Sequence, residues 1–348
     1  MRLVSAAMSV AHLLGSADDG GAEKYFIDLI GALHQGGIAQ GAALRAHAGR
    51  ERALAELGAP TRVLGFGAAL DFATKRGVAA LAREIDARVL VAWMSRAGAH
   101  TPAGPWTRIG RLGGYYDPKY FRGFDVMVAN TREIADWAVA QGWAREQTLY
   151  IPNFAVAGPG EPLDRASLDT PEGAPLLIGM GRLHSDKAHD ISLRALTRLP
   201  EAFLWIAGGG PLESELKGLA RDLGVAERVR FLGWRDDAAS LYRAADICVF
   251  PSRIEPLGNV VLQAWAYRVP VIAAASKGPA ALVNTGEDGL LIPMEDPDAL
   301  ADAVRALLAD PSLRARTIAG GQARLDREFS PAAVVEQWRA LFARYGAA

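Results

Sequence analysis

Pro251-Ser-Arg-Ile-Glu-Pro-Leu-Gly-Asn-Val-Val-Leu-Gln-Ala-Trp-Ala266 carries the local pattern from which the architecture of this chain can be worked out. It follows the apolar run Asp246-Ile-Cys-Val-Phe250, which reads as a short buried strand. Glu255-Pro256 marks a turn, and Gly258-Asn259 opens an apolar segment with helical character over Asn259–Tyr267. A carboxylate, Glu255, is therefore expected at the mouth of a loop beside the start of a helix. The first N–H groups of a helix lack intrahelical partners and sit at the positive end of its dipole, so they favour anions. The pattern predicts a site for a phosphate and a sugar.

The same strand–loop–helix unit recurs on both sides of this stretch. Upstream, strands are expected at Pro175–Met180, Ala202–Ala207 and Val229–Leu232, with helices at Ala188–Leu199, Pro211–Leu223 and Ala238–Ala244. Downstream come a strand at Pro270–Ala273 and helices at Pro297–Leu308, Pro311–Phe329 and Pro331–Tyr345. The first half alternates likewise. Strands are expected at Leu3–Val10, Ala42–Ala46, Val89–Trp93 and Asp125–Ala129. A helix carries Phe26, Leu29, Ile30 and Leu33 at helical spacing, and Asn130-Thr131 reads as a helix N-cap. Strands separated by helices imply parallel, doubly wound sheets.

Between the two halves the alternation stops, and residues 156–174 have the Pro-, Gly- and acid-rich composition of an exposed connector. The expected architecture is α/β: two Rossmann-like doubly wound domains facing a cleft, at 1–155 and 175–328, with a helix in 329–348 packing back on the first.

Composition narrows the function classes. A chain of 348 residues, half hydrophobic and 22% charged, is globular and long enough for two cores. Its net charge of −1 gives no electrostatic case for nucleic acid. The one cysteine, Cys248, lies in an apolar run without metal-ligand neighbours, which fits a reducing, cytoplasmic setting. The apolar stretch at the N-terminus is short and soon interrupted, so a first core strand is favoured over a secretion signal. No run of about 18 apolar residues is present, so no membrane span is expected, while peripheral contact with a membrane's inner face stays compatible.

Several strand ends carry candidate binding loops. Gly20 and Gly21 let a backbone approach a ligand at a helix start, or simply make the turn. Arg182 and Lys187 stand five apart in a strand-to-helix loop, where both could reach a diphosphate or both could be solvated cations. His184 and His189 lie nearby without further ligands, so no metal site is expected. Gly208-Gly-Gly-Pro211 reads as a turn or a nucleotide support, and Trp234 as a resting place for a base or a packing aromatic. Arg111 to Arg122 mixes four aromatics with Arg111, Lys119 and Arg122, which suits either a sugar- or headgroup-contacting surface or a core edge. Serine-hydrolase and P-loop signatures are missing, and so is a G-x-G-x-x-G fingerprint at Gly20-Gly21.

In order and spacing, these motifs resemble the family-4-type retaining glycosyltransferases of the GT-B fold. The resemblance rests on the Gly20-Gly21 loop, Gly181-Arg182 with Lys187, Gly208–Pro211, Phe250-Pro-Ser, Glu255-Pro-Leu-Gly, and Gly286-Glu-Asp-Gly-Leu-Leu291. It is strongest from Leu176 to Leu291, and closest to bacterial enzymes that extend lipopolysaccharide cores or related surface glycans. It implies a hexosyltransferase with a UDP- or GDP-linked sugar as co-substrate, no metal or other cofactor, and a glycan or lipid-linked acceptor. Arg182 and Lys187 would hold the donor diphosphate, Glu255 would contact the hexose, and Gly20, Gly21 and Leu257, Gly258, Asn259, Val260 would line the donor.

The family pattern has an acid eight positions after Glu255, on the nucleotide ribose; this chain has Gln263 there. A glutamine accepts hydrogen bonds without the charge that strengthens them, which puts donor affinity in question. The relatives' histidine near the acceptor is replaced by Gly113-Gly114-Tyr115. A nucleotide-sugar-binding partner subunit with weak or no transfer is the alternative, and a nicotinamide oxidoreductase a third reading.

Overall fold

The computed structural model describes residues 8–18, 20–67 and 71–346. The chain forms two compact units, Met1–Asn153 with Pro331–Ala348, and Phe154–Ser330. Each has its own parallel sheet.

In the first unit, among the described residues, seven strands run β1 (Ser9–Leu14), β2 (Ala39–Leu44), β3 (Thr61–Val63), β4 (Val89–Trp93), β5 (Thr107–Leu112), β6 (Val126–Ala129) and β7 (Thr148–Tyr150). Their order is β3-β2-β1-β4-β5-β6-β7, so the chain reverses its winding between β1 and β4. β1 and β4 are buried along their whole length, as central strands covered on both faces must be. The helix Gly21–Gln35 buries Tyr25, Phe26, Leu29, Ile30 and Leu33, one residue more than its spacing predicts. The final helix, Pro331–Tyr345, buries Val334, Trp338 and Leu341 in this same unit, next to the helix Gly21–Gln35.

In the second unit six strands follow: β8 (Leu176–Met180), β9 (Phe203–Ala207), β10 (Val229–Gly233), β11 (Ile247–Phe250), β12 (Val271–Ala274) and β13 (Leu290–Ile292). Their order is β10-β9-β8-β11-β12-β13 and all pairs are parallel, with the switch between β8 and β11. Loops leaving the carboxyl ends of strands at such a switch form the natural ligand site of a doubly wound sheet.

Several expectations need correcting. The first strand is Ser9–Leu14 instead of Leu3–Val10, and residues 1–7 lie outside the described part. Three first-unit strands, β3, β5 and β7, are additional. In β5 the side chains of Arg108 and Arg111 break the apolar run, yet Arg111 is buried. Its guanidinium donates to the carbonyl of Ile151 and to Asn153 Oδ1, both at 2.7 Å, and lies 5.5 and 5.8 Å from the rings of Trp338 and Tyr25. Burial holds its pKa down at about 10.

The Arg111–Arg122 stretch is thus split. Arg111 and Phe121 belong to the core, while Tyr115 is exposed and Lys119 pairs with Asp117 at 2.7 Å. The last long helix of the second unit ends at Arg324, and a π-turn, Leu325–Phe329, completes the segment.

The connector 156–174 lacks regular structure beyond one short 3-10 turn, but it is packed onto the second unit. Arg165 donates to the carbonyls of Ala244, Glu172 and Ala174 and pairs with Asp246 at 3.1 Å. Thr170 Oγ1 accepts the indole N–H of the fully buried Trp205 at 2.9 Å. Proline and glycine exclude helix and strand; they do not exclude packing.

Candidate active site

The loop leaving β8 is held from below by backbone. Gly181 donates to the carbonyl of Ala207, and Leu183 to that of Gly209, both at 3.0 Å. This approach requires glycine on the facing turn. A Cβ on Gly208 would lie 1.9 Å from the Gly181 oxygen, and one on Gly210 would lie 2.5 Å from the Leu183 oxygen. The Gly208–Gly210 turn therefore supports the loop after β8. His189, buried just behind it, donates from Nε2 to the Gly181 carbonyl at 3.3 Å, and burial pushes its pKa down to about 4. His184 caps the short turn Ser185–Lys187, its Nδ1 accepting the Asp186 N–H at 3.4 Å. Both histidines thus have structural duties.

Lys187, at the end of that turn, reaches Glu255 in the loop after β11, with Nζ 2.5 Å from Oε2. The two side chains are only 21% and 12% exposed, so the pair is largely shielded from water and screening is weak. Lys187 Nζ also lies 5.8 Å from the centre of the Phe250 ring. The second carboxylate oxygen of Glu255 accepts the Gly258 N–H at 3.1 Å. Gly258, at φ +94°, caps the helix Asn259–Ala266, which has no side-chain cap. A left-handed cap at that position suits a residue without a Cβ. From the other side, Gly278 donates to the Glu255 carbonyl at 2.8 Å. Glu255 is thus fixed through its carboxylate, by Lys187 and a helix start, and through its backbone.

Arg182 is exposed, and its guanidinium makes no hydrogen bond or ion pair among the described residues. Leu257 is buried and Val260 half-buried on the same loop and helix, with Asn259 opening that helix. One turn further on, Gln263 Oε1 accepts the Tyr242 hydroxyl at 3.2 Å. Tyr242 stacks on Tyr267 at 5.0 Å, and burial holds its pKa well above the usual range, so it remains a donor. Lys187, Glu255 and Gly258 therefore meet at the switch of the second sheet, with Arg182 on the same loop as Lys187 and Gln263 on the helix that Gly258 opens. Gly20 and Gly21 open a helix in the first unit; Gly20 has extended φ of −172° and makes no demand for glycine there. Trp234 follows β10 and is 64% exposed.

One residue of the opening stretch, Arg253, has a role that sequence reasoning missed. Arg253 donates from its backbone to the Asp186 carbonyl at 2.8 Å and from Nη1 to the Ser185 carbonyl at 2.8 Å. Its fork meets both oxygens of Asp190, at 2.8 and 2.7 Å, and both oxygens of Glu295, one of them at 2.9 Å from Nη2. Those carboxylates hold the guanidinium pKa well above its usual range, Asp190 first. At Asp190 burial pushes the carboxyl up, and the Arg253 fork outweighs it, leaving the carboxyl below its ordinary value. A lone arginine two residues before Glu255 was the available signal; its carboxylate partners, far apart in sequence, were not visible.

Comparison with known proteins identifies the family. The family described as "Glycosyl transferases group 1" matches residues 161–324. The lipopolysaccharide core biosynthesis glycosyltransferase LpsE of Rhizobium meliloti is 39% identical over 330 residues, covering 93% of this chain and 96% of that protein. LpsD of the same organism is 35% identical over 342 residues, covering 97% and 98%. Anabaena HepE, crystallised with UDP-glucose, superposes with a TM-score of 0.82 over 97% of this chain and 100% of its own, at 22% identity, which speaks for the fold. The chain belongs to the group 1 glycosyltransferases, as an enzyme of the lipopolysaccharide-core type with two Rossmann-like domains of the GT-B class.

Proposed function

We propose that this glycosyltransferase moves a hexose from a UDP- or GDP-linked donor to a cell-envelope glycan or lipid-linked acceptor, with retention at the anomeric carbon. The observation that carries the proposal is the shielded Lys187–Glu255 pair at 2.5 Å, with Glu255 also on the Gly258 N–H and an unpaired Arg182 in the same loop as Lys187. Departure of a nucleoside diphosphate places growing negative charge on the phosphate oxygens. Lys187, held by Glu255 before that charge develops, is a preorganised donor to it, and Arg182 in the same loop has a free guanidinium to bring to the phosphate, the kind of electrostatic arrangement that contributes most to such catalysis. Glu255 then contacts the hexose hydroxyls and keeps the Lys187 ammonium aimed.

In the retaining step the acceptor oxygen bonds to the anomeric carbon on the face that the diphosphate leaves. The bond from that carbon to the phosphate oxygen breaks, and the acceptor proton passes to the leaving phosphate. No second carboxylate is required, unlike in glycoside hydrolysis. The relatives' names support a core-oligosaccharide acceptor, which would bring the enzyme to the inner face of a membrane. No described helix is long and apolar enough to cross one.

A panel of UDP- and GDP-hexoses, scored for nucleoside diphosphate release and for transfer to core oligosaccharide, tests the reading. Lys187→Met and Glu255→Gln should each lower kcat by about 100-fold or more, as loss of a preorganised charge partner does. Wild-type turnover in both variants would refute the assigned roles. A second reading, donor binding without efficient transfer, rests on Gln263, whose carbonyl is occupied by Tyr242. It predicts nucleotide binding by calorimetry with no product from any donor.

A further inference from the structure

We propose that Arg253 is a positioning residue, which clamps the turn after β8 and the segment after β13 onto the Glu255 loop and so sets the Lys187–Glu255 geometry. This rests on the reading that Lys187 and Glu255 act on the donor.

The clamp reaches each partner of that pair at short range. Arg253 is two residues from Glu255 in the chain, and its backbone N–H holds the carbonyl of Asp186, the residue before Lys187. Its side chain also holds Ser185 and Asp190, so the turn carrying Lys187 is gripped before and after the lysine. On its other side it holds Glu295, beyond β13.

Two of the gripped segments contain non-glycine residues in left-handed conformation, Ala188 at φ +53° and Glu295 at φ +60°. Such residues persist only where their surroundings over-determine them. The Arg253 contacts supply that determination on both sides. The chemistry is specific to arginine: a planar fork meets two carboxylates and a carbonyl at once, whereas an ammonium offers a single point charge. The ion pairs with Asp190 and Glu295 are roughly a third to half exposed on the acid side, and pairs of that exposure contribute little to stability. Geometry is what the network supplies.

The experiment uses the full chain as wild type, Arg253→Met, Arg253→Lys, Lys187→Met and the Arg253→Met/Lys187→Met double variant. Nucleoside diphosphate release from UDP-glucose and from GDP-mannose is measured as kcat and KM per folded enzyme, beside the thermal midpoint. A misplacement of about 1 Å costs about 100-fold in rate, so Arg253→Met should lose about 10- to 100-fold, mostly in kcat. Arg253→Lys should be similarly impaired, and it answers the question if the methionine variant fails to fold. Because Arg253 acts through Lys187, its replacement should cost less than about 2-fold in the Lys187→Met background.

Multiplicative losses in the double variant, or unchanged kcat and KM in Arg253→Met or Arg253→Lys, would overturn the proposal while leaving the donor site intact. Equal rates for wild type and Lys187→Met would instead remove the donor-site reading and the proposal with it.

Discussion

On the proposed reading of the donor site, Gln263 stands where the family pattern places an acid, eight positions after Glu255. Its carbonyl oxygen is taken by the Tyr242 hydroxyl at 3.2 Å, which leaves the amide N–H2 as the end turned to other partners. A ribose hydroxyl meeting that end must accept, where a carboxylate would make it donate. Tyr242 is buried and stays protonated, so a carboxylate at 263 would keep its donor. Hydrogen bonds to an ionised group are about twice as strong as neutral ones. Gln263→Glu is therefore expected to tighten UDP or GDP binding by about 3- to 10-fold in calorimetry, about 1 kcal/mol. Unchanged or weaker binding would show that the position does not face the nucleotide. The substitution itself was visible in the spacing from Glu255; the Tyr242 contact that occupies half of the side chain was not, because 21 residues separate them.

Among the elements, the Gly208–Gly210 turn leaving β9 is the support for the loop leaving its neighbour β8. Its glycines let the Gly181–Leu183 backbone lie directly against it, and that backbone sets the starting point of the loop to Arg182 and Lys187. Gly210→Ala forces a Cβ to within 2.5 Å of the Leu183 oxygen, so the loop must move. Overpacking of this kind costs about 1–3 kcal/mol. The thermal midpoint should fall by about 2–12 °C for a unit of this size, and kcat should fall with it. A variant with unchanged midpoint and turnover would refute the role.

Legibility differed from element to element. The helix Gly21–Gln35 is plain from its period, and β11 from an unbroken apolar run. β5 was hidden because Arg111 satisfies its charge with carbonyls and ring faces inside the core, a solution that no local pattern announces.

For the whole molecule, each unit contains a buried histidine that must stay neutral. In the first, His12 accepts the Trp93 indole N–H on Nδ1 at 3.2 Å and so donates from Nε2 to Gln40 Oε1 at 2.8 Å, tying together β4, β1 and β2. Burial lowers its pKa from 6.5 to about 4, against the opposing Gln40 bond. In the second, His189 is lowered likewise to about 4. Both groups bind protons more readily in the unfolded chain, so the folded state is favoured by neutrality. That contribution is complete above about pH 6.5 and is lost as pH falls toward 4, on the order of 3 kcal/mol for each histidine. Urea midpoints should hold steady from pH 8 to 7 and drop sharply between pH 6.5 and 4.5. His12→Gln should flatten part of that slope. A flat profile across the window would contradict the burial argument.

The sequence specifies two parallel α/β sheets through its period and strand–helix alternation and names the family through the order of its short motifs, while strands β3, β5 and β7 emerge only in the fold. It also marked Arg182, Lys187, Glu255 and Gln263, because strand ends and helix starts are local features. Which of these groups meet is settled by the fold. Lys187 and Glu255 are 68 residues apart, and the Arg253 fork spans 63 residues to Asp190 and 42 to Glu295. Such pairings follow from strand order at the switch between β8 and β11, which places loops side by side irrespective of their distance along the chain.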